Sequence, residues 1–405
     1  MDHSAAHYRS QATRFVYRWP VLNNVFMQIN FWLIVNTVLL LVNVLTMRAT
    51  AVTYGHVQPP PFLPLWGLAA LMAVFYGTLL GLIDSWMDRR FGQQVTLGMR
   101  IVIKALLYTA AFLLITVCVL FLFENVLLED WMAGMGLRMT PETRFAWGLT
   151  FVPTTLVGNF LVSFIKQANR SFGPGLLVSL ILGRYQRPVT EHRIFMFMDL
   201  KDSTTHAEAL GPYRYSAMVR DLFHDVDSVV PRFEAEIYQY VGDEVVFTWN
   251  ENELGDKRKC LLFFYAVRAA IEARSAYYID TYGFLPSFKA GVHVGDVVAV
   301  EIGDIKREIA YHGDTINTAA RIQAMCNEFD RSLVASEELV KLTSIDDHSL
   351  LQAEPLGSVL LKGKRSHVTI HAIEPVHFAL RSARAQAVEQ LLTTTSDTTT
   401  AWTSS

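Results

Sequence analysis

The chain changes character once. Up to residue 165, long apolar runs are separated by short polar stretches; from 190 onward apolar and polar positions alternate at strand and helix spacing. Four runs, at 27–47, 65–84, 102–123 and 146–165, keep charge out of their middles. About 20 apolar residues are enough to cross a bilayer, so the pattern predicts four transmembrane helices. Core helices of soluble proteins rarely stay apolar around their whole circumference for so long. Mostly polar residues precede the first run and three runs follow it, which is not the layout of a cleaved leader.

The second half reads differently. Residues 193–199 form a short buried strand ending in an acid, and 205–229 a helix. Strands at 232–240 and 244–249 are joined by Gly242-Asp243, a hairpin signal. A helix over 256–280 follows, then strands over 287–301 and 306–311 around Gly303-Asp304. A helix over 314–328 and strand candidates at 349–361 and 367–374 complete the pattern. Strand–helix–strand–strand–helix–strand predicts a ferredoxin-like α+β core. Phe172-Gly-Pro-Gly175 breaks any helix leaving the apolar half. The expected units are therefore an N-terminal segment 1–26, a four-span membrane domain 27–166, a connector 167–189, an α+β domain 190–377 and a tail 378–405. The tail's Thr/Ser-rich end has little to bury, so disorder is expected there.

Composition agrees. Of 405 residues 51% are hydrophobic and only 18% charged, against about 25% charged in ordinary globular chains. This argues against a disordered chain, a coiled coil or a typical cytosolic enzyme. A net charge of −3 gives no reason to expect a nucleic-acid partner. Cys118, Cys260 and Cys326 are far apart and lack metal-ligand spacing, so no disulfide framework is expected.

Charge also sets orientation. Arg9, Arg14 and Arg18 precede the first run; Arg89, Arg90 and Arg100 lie between the second and third, with Lys104 at the edge of the third; Lys166, Arg170, Arg184 and Arg187 follow the fourth. The remaining two loops hold only Arg48, Arg138 and Arg144. Both termini are thus expected in the cytoplasm, with the spans in the inner or plasma membrane and lipid as a partner. Gly77 and Gly81 form a small-xxx-small pattern, read either as a close helix contact or as ordinary glycine usage. Asn36 and Asn43 share one helix face, with Gln28 and Asn30 nearer the cytoplasm; packing is favoured over a ligand cavity. With no histidine inside a run, a haem held by two intramembrane histidines is not expected. The spans identify no stimulus.

Three segments carry a resemblance: Phe197-Met-Asp199-Leu200-Lys-Asp-Ser203-Thr204, Tyr240-Val-Gly242-Asp243 and Gly313-Asp-Thr-Ile-Asn317-Thr-Ala-Ala-Arg321. Together, in order and spacing, they resemble the motif set of class III nucleotidyl cyclases, across 190–377. Leu361-Lys362-Gly363-Lys364 resembles that family's late phosphate-binding lysine element, with Lys362 and Lys364 both candidates.

The resemblance implies attack of a ribose 3′-oxygen on the α-phosphorus of ATP, giving 3′,5′-cyclic AMP and pyrophosphate. Two Mg²⁺ or Mn²⁺ ions per site lower the hydroxyl's pKa and clamp both ends of the displacement. Hard cations take carboxylate oxygens, and the family's ligands correspond to Asp199, the Leu200 carbonyl and Asp243. Backbone N–H groups from Leu200 to Thr204, with Ser203 and Thr204, open a helix that can hold β- and γ-phosphates. Asn317 and Arg321, four apart on one helix face, would orient the ribose and stabilise charge in the transition state. Family sites are composite, so one chain with both residue sets implies a homodimer with two equivalent sites.

The base pocket departs from the family. Gln239 stands where adenylyl cyclases commonly have Lys, and Ala310 where they have Asp; the Glu and Cys of guanylyl cyclases are absent too. An amide can still bond an adenine edge, whereas an alanine side chain reads none. ATP is favoured, with GTP or relaxed selectivity as the alternative. A diguanylate cyclase, echoed by Val241-Gly-Asp-Glu-Val-Val-Phe247, leaves Asn317 and Arg321 unexplained. A catalytically silent membrane sensor or scaffold fits Gln239 and Ala310 but is opposed by the four intact motif residues.

Overall fold

The structure is a computed structural model that describes residues 19–54, 62–91, 97–122, 142, 145, 149, 153, 156–166, 183–305, 307–345 and 350–376. The chain divides into two compact units, Phe15–Leu177 and Val178–Ser405, the latter with Met1–Arg14.

The first unit is helical: α1 (Pro20–Tyr54), α2 (Phe62–Phe91), α3 (Leu97–Leu122) and α4 (Leu156–Lys166). Among the described residues, Val21–Thr46 in α1 and Leu65–Met87 in α2 are long and apolar enough to cross a membrane. The third and fourth expected spans appear only as shorter apolar helices, Val102–Ile115 and Leu156–Lys166. Two of the four expected spans are thus met by candidate helices among the described residues, and much of the 146–165 run lies outside those residues.

α1 and α2 run antiparallel. Val25 faces Gly81 and Ile29 faces Gly77, and a Cβ on either glycine would come within 2.5 Å of the facing residue. The glycine pair therefore lets two backbones touch. Asn36 crosses to the Ala69 carbonyl at 3.2 Å and Asn24 to Ser85 at 3.2 Å, whereas Asn30 and Asn43 bond their own helix. Packing is the role of Asn36; Gln28 is buried with both amide atoms unpartnered. Asp84 of α2 is fully buried and ion-paired to both Lys104 of α3 and Lys166 of α4. Two lysines that read as loop charges therefore join three helices. A buried carboxylate is tolerated only when paired.

The second unit is a mixed eight-stranded sheet flanked by helices. In chain order it comprises β1 (Val189–Leu200), α5 (Ser203–Val229), β2 (Glu236–Val241), β3 (Glu244–Asn250), α6 (Lys259–Ala273), α7 (Ser275–Tyr282), β4 (Phe288–Ile302) and β5 (Glu308–His312). Then come α8 (Asp314–Glu328), β6 (Leu333–Ser336), α9 (Glu337–Thr343), β7 (Leu351–Val359) and β8 (Val368–Pro375). Strand order is β2-β3-β1-β4-β6-β8-β7, with β5 also on β4. Among the described residues, only the β4–β6 pair is parallel.

β1 is central and buried on both faces, which is why it reads as an unbroken apolar run. Ile194, Met196 and Met198 join the main core with residues of α5, α6 and α7; Phe195 and Phe197 pack with Val246, Val297 and Ala319 of α8 on the other face. Arg193 shares that second face and is fully buried. It donates to Glu191 at 2.7 Å and to Glu236 at 2.9 Å, with its guanidinium 4.8 Å from the Tyr311 ring.

The observed elements refine the expected ones. Residues 232–233 belong to a short 3-10 turn rather than to β2, and the expected helix 256–280 is two helices. α5 breaks at Gly211, with φ 70°, just before Pro212. β6 and α9 were not expected, being too short for a periodic signal. Residues 377–405 and most of the connector lie outside the described residues.

Candidate active site

Asp199 is the next-to-last residue of β1 and Asp243 occupies the two-residue turn between β2 and β3. Gly242 there takes φ 66°, a conformation open to a residue without a Cβ. β1 pairs β3 with Met198 opposite Val245, so the next positions along both strands bring Asp199 beside Glu244 and the turn. The two acids do converge, and Glu244 makes a third carboxylate that sequence reasoning missed; its adjacency to Asp243 was the available signal. Burial, then the charges of Asp199 and Asp243, push Glu244 up to about 7, with Lys289 pulling the other way.

The cluster has few protein partners. Lys289 Nζ lies 3.2 Å from Asp199 Oδ2, and Gln323 Nε2 donates to the same oxygen at 3.2 Å. Asp243 Oδ2 is buried with no hydrogen-bond partner. Burial, then the charge of Asp243 and the hydrogen bond that Tyr215 donates to it, push the Tyr215 phenol up to about 12. Among the described residues no group of three or more His, Cys, Asp or Glu side chains forms a ready-made metal cage. The donor set nevertheless suits a hard cation: two convergent acids, one with an orphaned buried oxygen, and the Leu200 carbonyl next in the chain.

Asp202, with φ 55°, turns the chain into α5, which begins at Ser203. The first N–H groups of a helix lack intrahelical acceptors, so Ser203 and Thr204 stand at an anion-competent end. The proposed run of free N–H groups from Leu200 is shorter than expected, because Lys201 N donates to the Ser287 carbonyl at 2.9 Å.

Asn317 and Arg321 project from α8. Arg321 lies against the 361–364 loop, where a Cβ on Gly363 would come within 3.3 Å of its guanidinium. Lys364 joins this group, 2.8 Å from Asp314 Oδ2, which its hydrogen bond holds below the usual carboxylate range. Lys362 is exposed, so Lys364 is the lysine gathered with Arg321. Gln323, two residues beyond Arg321 and so about 200° around the helix, touches Asp199 instead. The acids and the Arg321–Lys364 group thus sit on different sides of α8.

Gln239 is exposed on β2 and Ala310 buried on β5. Their sequence neighbours Tyr238 and Tyr311 meet with ring centroids 5.1 Å apart, although β3, β1 and β4 lie between β2 and β5 in the sheet.

Residues 187–375 match the family model described as the adenylate and guanylate cyclase catalytic domain. Adenylate cyclase 2 of Rhizobium meliloti (strain 1021) is 31% identical over 300 residues, covering 70% of this chain and 82% of that protein. Adenylate cyclase 1 of the same organism is 29% identical over 199 residues, covering 47% of this chain and 28% of its own length. A solved adenylyl cyclase from P. aeruginosa overlays 47% of this chain and 97% of its own with a TM-score of 0.41 and 15% identity. The chain belongs to the class III adenylyl and guanylyl cyclase family, and its enzyme class is that of the cyclases.

Proposed function

We propose that the protein is a membrane-anchored adenylate cyclase that converts ATP to 3′,5′-cyclic AMP and pyrophosphate at a homodimer interface. The carrying observation is the carboxylate pair Asp199 and Asp243 with its orphaned buried oxygen. Those two side chains and the Leu200 carbonyl would hold Mg²⁺ or Mn²⁺, two per site. Bound there, the ions lower the pKa of the ribose 3′-hydroxyl and offset charge on the leaving pyrophosphate.

The chain's own groups do the rest. Ser203, Thr204 and the start of α5 receive the β- and γ-phosphates. Lys364 adds a cation, and Arg321 meets the charge that develops as the 3′-oxygen bonds to phosphorus and the bond to the β-phosphate oxygen breaks. Asn317 orients the ribose. Because Arg321 and the acids lie on different sides of α8, each would face the complementary group of a second copy. The separation of Gln323 from Arg321 on that helix supports the composite site.

ATP is favoured by two relatives named adenylate cyclase. GTP remains the second reading because Gln239 and Ala310 carry neither family's base code. Four spans with both termini cytoplasmic follow from the basic asymmetry of the loops.

The test is product formation by the purified full chain with Mn²⁺ and either ATP or GTP. Cyclic AMP from wild type, and none from Asp243→Ala that remains dimeric, is expected. Turnover of GTP alone would overturn the substrate; full turnover by the variant would overturn the site.

A further inference from the structure

Asp199 Oδ2 already has a cation. Lys289 stands directly opposite Asp199 in the β1–β4 register, with Nζ at 3.2 Å from that oxygen and its side chain only 14% exposed. The same ammonium is 3.1 Å from Asn327 Oδ1 on α8. Gln323 donates to the same Asp199 oxygen at 3.2 Å. One oxygen of Asp199 is therefore doubly occupied by the protein, while Asp243 takes a hydrogen bond from Tyr215 and keeps its Oδ2 without a partner. None of the motif segments contains Lys289, Gln323 or Asn327.

We propose that Lys289 is a positioning residue that serves as the resident counter-ion of Asp199 and sets how tightly the site takes divalent cations. Three carboxylates, those of Asp199, Asp243 and Glu244, meet in a partly buried corner and repel one another. A tethered ammonium offsets that repulsion and keeps the Asp199 carboxylate aimed at the corner. Loading a divalent cation requires that oxygen to be released. Asn327 Oδ1, already within hydrogen-bond reach, supplies the acceptor to which the ammonium moves.

The inference rests on the metal-site reading above, so its test separates the two. Mn²⁺ binding to the purified full chain, without nucleotide, is read from the free-ion signal in electron paramagnetic resonance. Lys289→Met removes the competitor and should tighten Mn²⁺ binding about tenfold at low salt, the order expected for one unit charge beside a partly exposed site. The difference should shrink as ionic strength rises. Lys289→Arg keeps the charge and should stay near wild type. Asn327→Leu removes the second acceptor and should weaken binding. Wild-type affinity or weaker in Lys289→Met, with binding lost in Asp199→Asn, overturns the counter-ion role alone. Undiminished binding in Asp199→Asn overturns the metal site and this inference with it.

Discussion

Gly291 is where the sheet and the helix carrying Asn317 and Arg321 touch backbone to backbone. It lies on β4 between Phe197 of β1 and Val334 of β6. A Cβ there would stand 2.1 Å from the Gln323 amide nitrogen, 2.4 Å from its Cα and 2.7 Å from the Ile322 carbonyl carbon, whereas ordinary contact begins at 3.4 Å. In Gly291→Ala, α8 must therefore withdraw by about 1 Å, since helix backbone cannot rotate aside as a side chain can. Overpacking of a tight core costs about 1–3 kcal/mol, and an obstacle made of backbone places this case near about 3. For a domain of this size that lowers the midpoint of thermal unfolding by roughly 6–12 °C. The same shift carries Gln323 away from Asp199 and moves Asn317 and Arg321 together. Misplacement of about 1 Å can reduce turnover about 10²-fold. Gly295→Ala is the internal control. Its new Cβ meets the Thr315 hydroxyl at 2.7 Å, and that side chain can turn at the expense of its bond to the Asp296 carbonyl, about 1 kcal/mol. Thermal inactivation and kcat measured on the purified full chain report both effects. A Gly291→Ala protein with wild-type midpoint and turnover, or a Gly295→Ala protein damaged as badly, would refute the close approach and its consequence.

Three further outcomes are expected. Co-expressed Asp199→Ala and Arg321→Ala chains, each inactive alone, should recover about a quarter of wild-type activity, because half of randomly formed dimers are mixed and each keeps one of two sites; no recovery despite demonstrated mixed dimers would place each site within one chain. His293 bonds Ser336 Oγ at 2.7 Å and burial pushes its imidazole down to about 4, against about 6.5 when unfolded. Between those values the unfolded state binds more protons, so stability is intact above about pH 6.5 and falls by up to about 3 kcal/mol as pH drops to 4. His293→Gln should flatten that slope in urea midpoints measured across pH; an unchanged slope would assign the loss to other groups. Cysteines introduced near His56 and Gly134 should be labelled from outside intact cells and those near Arg90 and Asp243 should not; the reverse pattern would invert the orientation.

Local spacing carried much of this protein. Apolar run length marks α1 and α2, and the period along 314–328 gives the bounds of α8 itself, because both depend only on neighbours in the chain. The hairpin at Gly242-Asp243 was legible for the same reason, a turn chemistry confined to a few residues. Motif residues Asp199, Asp243, Asn317 and Arg321 could be listed, and the resemblance paired the two acids, but the further side chains standing beside each of them could not be read. That depends on strand order: β1 happens to pair β3 on one edge and β4 on the other, which sets Glu244 and Lys289 beside Asp199. It depends also on the rotation of α8, which turns Gln323 to the acids and Arg321 to Lys364 rather than Lys362. The pairing of Asp84 with Lys104 and Lys166, and the burial of Arg193, were invisible in the same way. Each joins groups far apart in sequence, and no periodicity along a chain records which surfaces will be pressed together when apolar faces leave water.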